Sequence, residues 1–356
     1  MALEIVKICD WILSHIYFLS ENVINIHYRL DPDLLDKYGE TGRIRSMEDV
    51  NFHLSYLAAA MKVSSLSLFL KYVEWLVIFF KSIQFPVAHV ARNFQIIRQV
   101  LRKELPFDKT IPLEFLDQGE AKLSQFIPIP DSYIKTGGSY TDLAGQYLNY
   151  ILLKQRDNAR QLILNRVESG TEIRELYFNI FEPVQKEIGI LWQLGKITVA
   201  DEHYATAVTQ LIISELYNYI FQGKNRKKGK FAAACMQGEL HEIGLRMITD
   251  LCEIDGWDTY YLGTNTPAQS IVKFIESSRI DILGLSVSLT PNLIHLEELI
   301  NMVRNNPDLS HVKIIVGGFP FSIEPDLFKK VGADGSAQNL ISAVETINSF
   351  KEDIKK

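Results

Sequence analysis

From Phe231 onward the chain alternates short apolar runs with stretches of helical period, and few architectures accept that alternation. Phe231-Ala232-Ala233-Ala234-Cys235-Met236 predicts a buried strand, and a helix is expected over 242–254. The pattern repeats with a strand-like segment at 257–262, a helix at 267–277, an apolar run at 282–287, a helix near 293–303 and an apolar run at 312–316. A further helical segment and Gly332-Ala333-Asp334-Gly335 lead to a final helix. Apolar strands alternating with helices imply a covered parallel sheet with right-handed crossovers. We therefore expect a flavodoxin-like α/β domain over residues 226–356. Ligands on that architecture sit beyond the carboxyl ends of strands, near the switch in strand order.

Upstream, two helical regions are expected. Residues 1–125 read as an additional N-terminal helical domain for sensing or interaction, with apolar repeats through Leu54, Leu57, Ala58 and Met61 and through Val90, Phe94, Ile97 and Leu101. Leu105-Pro106 and the prolines 112, 128 and 130 interrupt helices, and Gly-Gly-Ser-Tyr at 137–140 marks a further boundary. Residues 126–225 read as a helical-bundle cap with helices over 141–153, 157–168, 172–194 and 199–221. The greasiest stretch, 66–80, is interrupted by Lys71 and Glu74 and falls short of the roughly 20 apolar residues of a membrane span, so it predicts a buried helix.

The formal net charge of -6 leaves no broad basic surface for a phosphate backbone. The local run from Lys224 through Arg226 to Lys230 reads as a solvated linker. Neither a nucleic-acid nor a membrane partner is expected. The three cysteines, Cys9, Cys235 and Cys252, are far apart and odd in number, which suits a reducing, cytoplasmic compartment.

Gly238-Glu239-Leu240-His241-Glu242-Ile243-Gly244 follows the first strand of the α/β domain directly, where a ligand loop belongs. A neutral imidazole donates one ring nitrogen to a transition metal, and a carboxylate on the other nitrogen fixes its orientation and raises its basicity. His241 and Glu239 are candidates for that pair, and Gly244 permits close approach of helix and ligand. Taken alone, His241 reads more readily as a polar loop residue, and the surrounding organisation changes that weighting.

With Ser286-Val287-Ser288-Leu289-Thr290 and Gly317-Gly318, the His241 loop resembles the cobalamin-binding domain of methionine synthase, corrinoid carrier proteins and B12 photoreceptors. Their pattern is Asp-x-His-x-x-Gly, then Ser-x-Leu or Ser-x-Thr, then Gly-Gly. Gly256-Trp257 and Leu262-Gly263 fall at the expected second strand. The resemblance implies that His241 coordinates cobalt from below, while Ser286, Ser288, Gly317 and Gly318 line the slot for the cofactor's nucleotide tail. Glu239 departs from the usual Asp, which puts its hydrogen bond to His241 in question.

The stretch from Trp192 to Glu202-His203 resembles the helical cap of CarH-type adenosylcobalamin photoreceptors, with a tryptophan ten residues before Glu-His. By that resemblance Trp192 is a lid on the adenosyl group, Glu202 contacts it, and His203 becomes the upper cobalt ligand after photolysis. A MerR-type DNA reader is missing. Segments at 53–57 and 69–75 resemble stand-alone B12 sensory proteins, some of which are photocobilins with a bilin. His53, Tyr56, Tyr72 and Trp75 are thus candidates for a chromophore pocket or for ordinary core packing.

The expected function is an adenosylcobalamin-dependent light sensor, not an enzyme, that changes domain packing or oligomerisation. Noncovalent biliverdin is its candidate second chromophore, and a second copy or a signalling protein its candidate partner. Two alternatives stand beside it: a corrinoid carrier for methyl transfer, and a cobalamin-responsive interaction adaptor.

Overall fold

The computed structural model describes residues 2–134, 138–221 and 228–351. Most of the basic run, at 224–227, lies outside them, as do Gly137 and the expected boundary at 225–226. The chain divides into two compact units, Met1–Pro128 and Ile129–Lys356.

The first unit is helical throughout its regular structure: α1 (Ala2–Ser14), α2 (Ile16–Leu30), α3 (Asp33–Lys62), α4 (Leu66–Ser82), α5 (Val87–Glu104) and α6 (Thr110–Leu123). Gly39, at φ 64, kinks α3 near its start. The Ser65 hydroxyl caps α4 by accepting the Leu68 N–H at 3.2 Å. The greasy stretch is α4, which buries Leu68, Phe69, Tyr72, Val73, Leu76, Val77 and Phe80 against its neighbours. Phe69 stacks on Phe94 at 5.9 Å between ring centroids, and Gly119 of α6 sits where any side chain would collide with both. Among the described residues no helix is long and apolar enough to cross a membrane.

The second unit begins with the cap: α7 (Thr141–Leu152), α8 (Arg156–Glu168), α9 (Ile173–Leu176), α10 (Glu182–Gln193) and α11 (Val199–Ile220). A π-helical turn at Tyr177–Phe181 joins α9 to α10. The start of α11 is set by a capping box, in which Thr198 Oγ1 accepts the Asp201 N–H and Asp201 accepts the Thr198 N–H.

The α/β part follows as β1 (Lys230–Cys235), α12 (Ile243–Ile254), β2 (Asp258–Tyr261), α13 (Ala268–Ser278), β3 (Ile282–Ser286), α14 (Leu293–Arg304), β4 (Lys313–Gly317), α15 (Phe319–Ile323), α16 (Leu327–Lys330), β5 (Gly335–Ala337) and α17 (Leu340–Ser349). The five strands are parallel in the order β2-β1-β3-β4-β5. Strand order therefore reverses between β1 and β3, and the loops leaving those strands meet at the carboxyl edge. Cap and sheet share a core: Tyr147, Tyr177, Phe181, Ile212 and Leu216 of the cap cluster with Ile243, Met247 and Leu251 of α12.

Candidate functional site

The loop after β1 is tied down at nearly every residue. Glu239 N–H donates to Met236 O at 3.0 Å, and Gly238 N–H donates to Asn265 Oδ1 at 3.0 Å. Asn292 Nδ2 donates to Gly238 O at 3.1 Å, and Cys235 Sγ lies 3.6 Å from His241 O.

Glu239, fully buried, is the hub. Its Oε1 accepts the backbone N–H groups of Leu240 and His241 at 3.2 and 3.1 Å and pairs with His241 Nδ1 at 2.5 Å. Its Oε2 accepts Ser288 N–H at 2.7 Å, Leu289 N–H at 3.3 Å and Asn292 Nδ2 at 3.2 Å. Burial pushes this carboxyl up, but the hydrogen bonds from His241 and Ser288 outweigh it and hold it down at about 2. The extra methylene of Glu thus reaches His241 and still lets the other oxygen span to the β3 loop.

His241 presents the opposite face. Its side chain is 60% exposed, and Nε2 has no hydrogen-bond partner among the described residues. The hydrogen bond to Glu239 raises its pKa against an opposing burial effect, and the charges of Glu239 and Glu202 add to the rise. A carboxylate on Nδ1 leaves Nε2 as the outward nitrogen, the arrangement that suits a metal ligand.

The other expected residues fall into two groups. Ser286 ends β3, Ser288 lies two residues on, Gly317 ends β4 and Gly318 follows it, all on the same carboxyl edge. The Ser286 and Ser288 hydroxyls have no hydrogen-bond partner among the described residues, so they remain free to bind a ligand. Gly318 has a reason internal to the protein: at φ 107, an added Cβ would lie 1.9 Å from Val287 O. Gly244, in the first turn of α12, is different, because a Cβ there would meet nothing within 4 Å.

From the cap, Glu202 comes close enough to influence His241, while it also pairs with His203 Nδ1 at 2.6 Å. The His203 side chain is 74% exposed, and Trp192 is half-buried near the end of α10. The cap is pinned to the loop by Gln210 Nε2, which donates to Glu242 Oε1 at 2.5 Å. Tyr261 Oη donates to the other oxygen of Glu242, also at 2.5 Å.

Sequence reasoning passed over Asn292, Asn265 and Glu242. Asn292 follows the Ser-x-Ser-Leu-Thr-Pro segment directly, and a polar amide there was the available signal. Asn265 and Glu242 act through contacts across the fold that no local spacing announces.

Among the described residues, no cluster of three or more His, Cys, Asp or Glu side chains could hold a bare metal ion. A corrin brings four nitrogens to its own cobalt, so a single imidazole suffices. The free Nε2 of His241, the unpartnered serine hydroxyls and the open surface at Gly244 fit such a group.

The B12 binding domain family matches residues 229–345, and a second B12 binding domain family matches residues 143–217 of the cap. Dimethylamine corrinoid protein 3 of Methanosarcina acetivorans is 23% identical over 158 residues, covering 44% of this chain and 73% of its own length. A corrinoid protein of Desulfitobacterium hafniense is 27% identical over 167 residues, covering 46% of this chain and 76% of its own. In fold, the chain is similar to the monomethylamine corrinoid protein of Methanosarcina barkeri, with a TM-score of 0.53 and 16% identity, over 59% of this chain and 99% of that one. The architecture is thus a helical cap followed by a parallel α/β B12-binding domain, and the comparisons support a corrinoid of the B12 type as its cofactor.

They also correct the resemblance to CarH-type photoreceptors. These relatives are named as corrinoid proteins, two of them for methylamines, and none of the three is named as a light sensor. The expected light sensor, its photocobilin character, its biliverdin and its signalling output are withdrawn on that finding. The physical reason is visible in the cap. Trp192 stands ten residues before Glu202-His203 because α10 ends at Gln193 and the Thr198 capping box restarts the chain as α11. A helix, a turn and a helix are enough to produce that spacing, so it does not by itself distinguish a light sensor.

Proposed function

We propose that this chain is a corrinoid carrier of a methyl-transfer system, with His241 Nε2 as the lower axial ligand. The single observation behind this reading is the Glu239–His241 pair, held at 2.5 Å with the second ring nitrogen left open at the switch point of the sheet. When bound, the corrinoid supplies a cobalt that takes up and gives up a methyl group. The chain's own residues have narrower tasks. Glu239 keeps Nδ1 occupied and the ring aimed. Ser286 and Ser288 offer hydroxyls to the cofactor's tail. The first turn of α11, with Glu202 near His241 and His203 exposed, would lie beside a corrinoid held by His241 and leave room for a partner. In this reading the transfer catalyst is a separate methyltransferase, and the matched dimethylamine corrinoid proteins supply the family context. The adenosyl form of the cofactor serves as the comparison arm.

Loading the chain with cobalamin and reducing it to the cobalt(II) state tests the ligand by electron paramagnetic resonance. Nitrogen-15 labelling of histidine should change the superhyperfine pattern from three lines to two, and His241→Ala should abolish it. A pattern indifferent to the label would overturn the lower-ligand assignment. Loading with a carbon-13 methyl group or with adenosylcobalamin, then adding a methyltransferase and its thiol acceptor, tests the carrier role. Transfer from the methyl form alone is expected. Full retention of the label would overturn the carrier reading while leaving corrinoid binding intact.

A further inference from the structure

The N-terminal unit encloses a cavity of about 330 Å³ between α2, α3, α5 and the end of α4. Tyr38, Phe80 and His89 each approach Phe85 with ring centroids 5.2 to 5.8 Å apart, His27 lies 5.9 Å from His89, and Arg45, Ser46 and Asp49 also line the cavity. Three polar side chains line it from deep inside the fold. His27, His53 and Asn93 are 4%, 2% and 7% exposed, and among the described residues His27 Nδ1, His53 Nε2 and Asn93 Oδ1 meet no partner at hydrogen-bond geometry, although the Asn93 amide still acts on His27. A polar atom buried without a partner is destabilising, so three around one cavity point to a ligand that satisfies them. Burial also lowers the pKa of both imidazoles, that of His53 to about 3, so both are neutral donor–acceptor groups.

The tautomer of His53 follows from its neighbour. His53 Nδ1 lies 2.7 Å from Tyr72 Oη, and that contact is the only hydrogen bond of the Tyr72 hydroxyl among the described residues. If Nδ1 carried the proton, the buried Tyr72 O–H would have no acceptor. Tyr72 therefore donates to Nδ1, and Nε2 carries the hydrogen. From its buried side the cavity thus offers an N–H donor at His53 and a carbonyl acceptor at Asn93 Oδ1, beside mutually tilted aromatic rings. A planar ring with adjacent C=O and N–H groups answers both. At about 30 Å³ per water, the space equals roughly eleven waters, which accommodates a bicyclic ring of about ten to twelve non-hydrogen atoms.

We propose that this cavity binds a bicyclic heteroaromatic lactam, with His53 donating to its carbonyl and Asn93 accepting from its ring N–H. Purine bases of the hypoxanthine type and pterins share this chemistry. The test is calorimetric titration of the full chain with hypoxanthine, with pterin, and with purine, which lacks the lactam. Binding of hypoxanthine or pterin at least about tenfold tighter than purine is expected, and whichever binds tighter identifies the source. Asn93→Leu should weaken the tighter ligand by about tenfold or more. Tyr72→Phe frees His53 to change tautomer and should narrow the preference over purine to about threefold or less. No heat from either lactam up to about 1 mM would overturn the proposal. So would binding shared equally by purine and untouched by both substitutions, the result expected of a cavity that selects by shape alone.

Discussion

Glu239 and His53 are both withdrawn from solvent, yet the protein treats them in opposite ways. Glu239 receives six N–H groups from Leu240, His241, Ser288, Leu289 and Asn292, and nothing in its surroundings is left for a ligand to complete. Its only outlet is indirect, through the free Nε2 of His241. In the N-terminal cavity His53, His27 and Asn93 each keep an unmet atom. The first site is fixed before any cofactor arrives. The second has part of its hydrogen bonding unmade. A residue at the first site should therefore matter to the empty protein, whereas one at the second should matter only to its ligand.

Glu239→Gln gives the largest effect that this contrast predicts. A glutamine places an NH2 group against N–H donors that now meet a carboxylate, so at least one donor is left buried and unpaired. The empty protein should lose about 3–5 kcal/mol of stability. Corrinoid affinity should fall by roughly 10–100-fold, because the imidazole is no longer oriented. Denaturant unfolding of the empty chain and titration with cobalamin measure the two losses. Unchanged unfolding would show that the hub is not prearranged.

Gly318→Ala comes next. Its Cβ would meet Val287 O at 1.9 Å, beside the Ser288 N–H that holds Glu239. A loss of about 2–3 kcal/mol in the empty protein is expected. Gly244→Ala is the matched control, since its Cβ meets no protein atom. It should leave thermal unfolding alone and reduce cobalamin affinity only. Equal melting curves for the two variants would break the distinction between a glycine that serves the fold and one that serves the ligand.

Much of this was legible in advance, and the exceptions share a cause. The strand–helix alternation after Phe231 and the position of His241 beyond the first strand depend on local pattern, and strands and helices lie within a few residues of their expected bounds. The reach of Glu239 to Ser288 and Asn292 depends on two loops about fifty positions apart meeting at the switch point, and no spacing encodes it. The spacing from Trp192 to Glu202-His203 was legible but misleading, because a helix, a turn and a helix produce it for mechanical reasons. His53 and Tyr72 were noted as aromatic and polar, but an unmet Nε2 is a property of packing alone.

Asp250 lies between the two extremes and sharpens the contrast through pH. It is 2% exposed and accepts the Tyr177 hydroxyl at 2.8 Å. Burial raises its pKa from the ordinary 3.8 to about 7, against the opposing hydrogen bond from Tyr177 and the charge of Arg246. The folded state therefore holds this proton where the unfolded chain has released it. The resulting stability is full below about pH 4 and is lost as pH rises through about 7. Asp250→Asn keeps an acceptor for Tyr177 and removes the titration. Between pH 4 and 8 the variant should gain on wild type by about 4 kcal/mol. Parallel pH profiles would mean that Asp250 is as well supplied with donors as Glu239.

Asn93→Leu should produce the smallest change, and its sign is the point. Asn93 Oδ1 is buried and meets no partner at hydrogen-bond geometry among the described residues, with the ring of His27 as its polar neighbour. Leucine has nearly the same shape and no polar atom to strand. Removing an orphaned acceptor relieves its desolvation cost, so the empty protein should be unchanged or more stable by about 1 kcal/mol. Because the first unit also loses nothing that its helices use, the melting curve should keep its steepness while the midpoint holds or rises. A loss of more than about 1 kcal/mol would show that Asn93 is satisfied in the empty state. The N-terminal cavity would then be as complete without a ligand as the loop around Glu239, and the opposition between the two sites would fail.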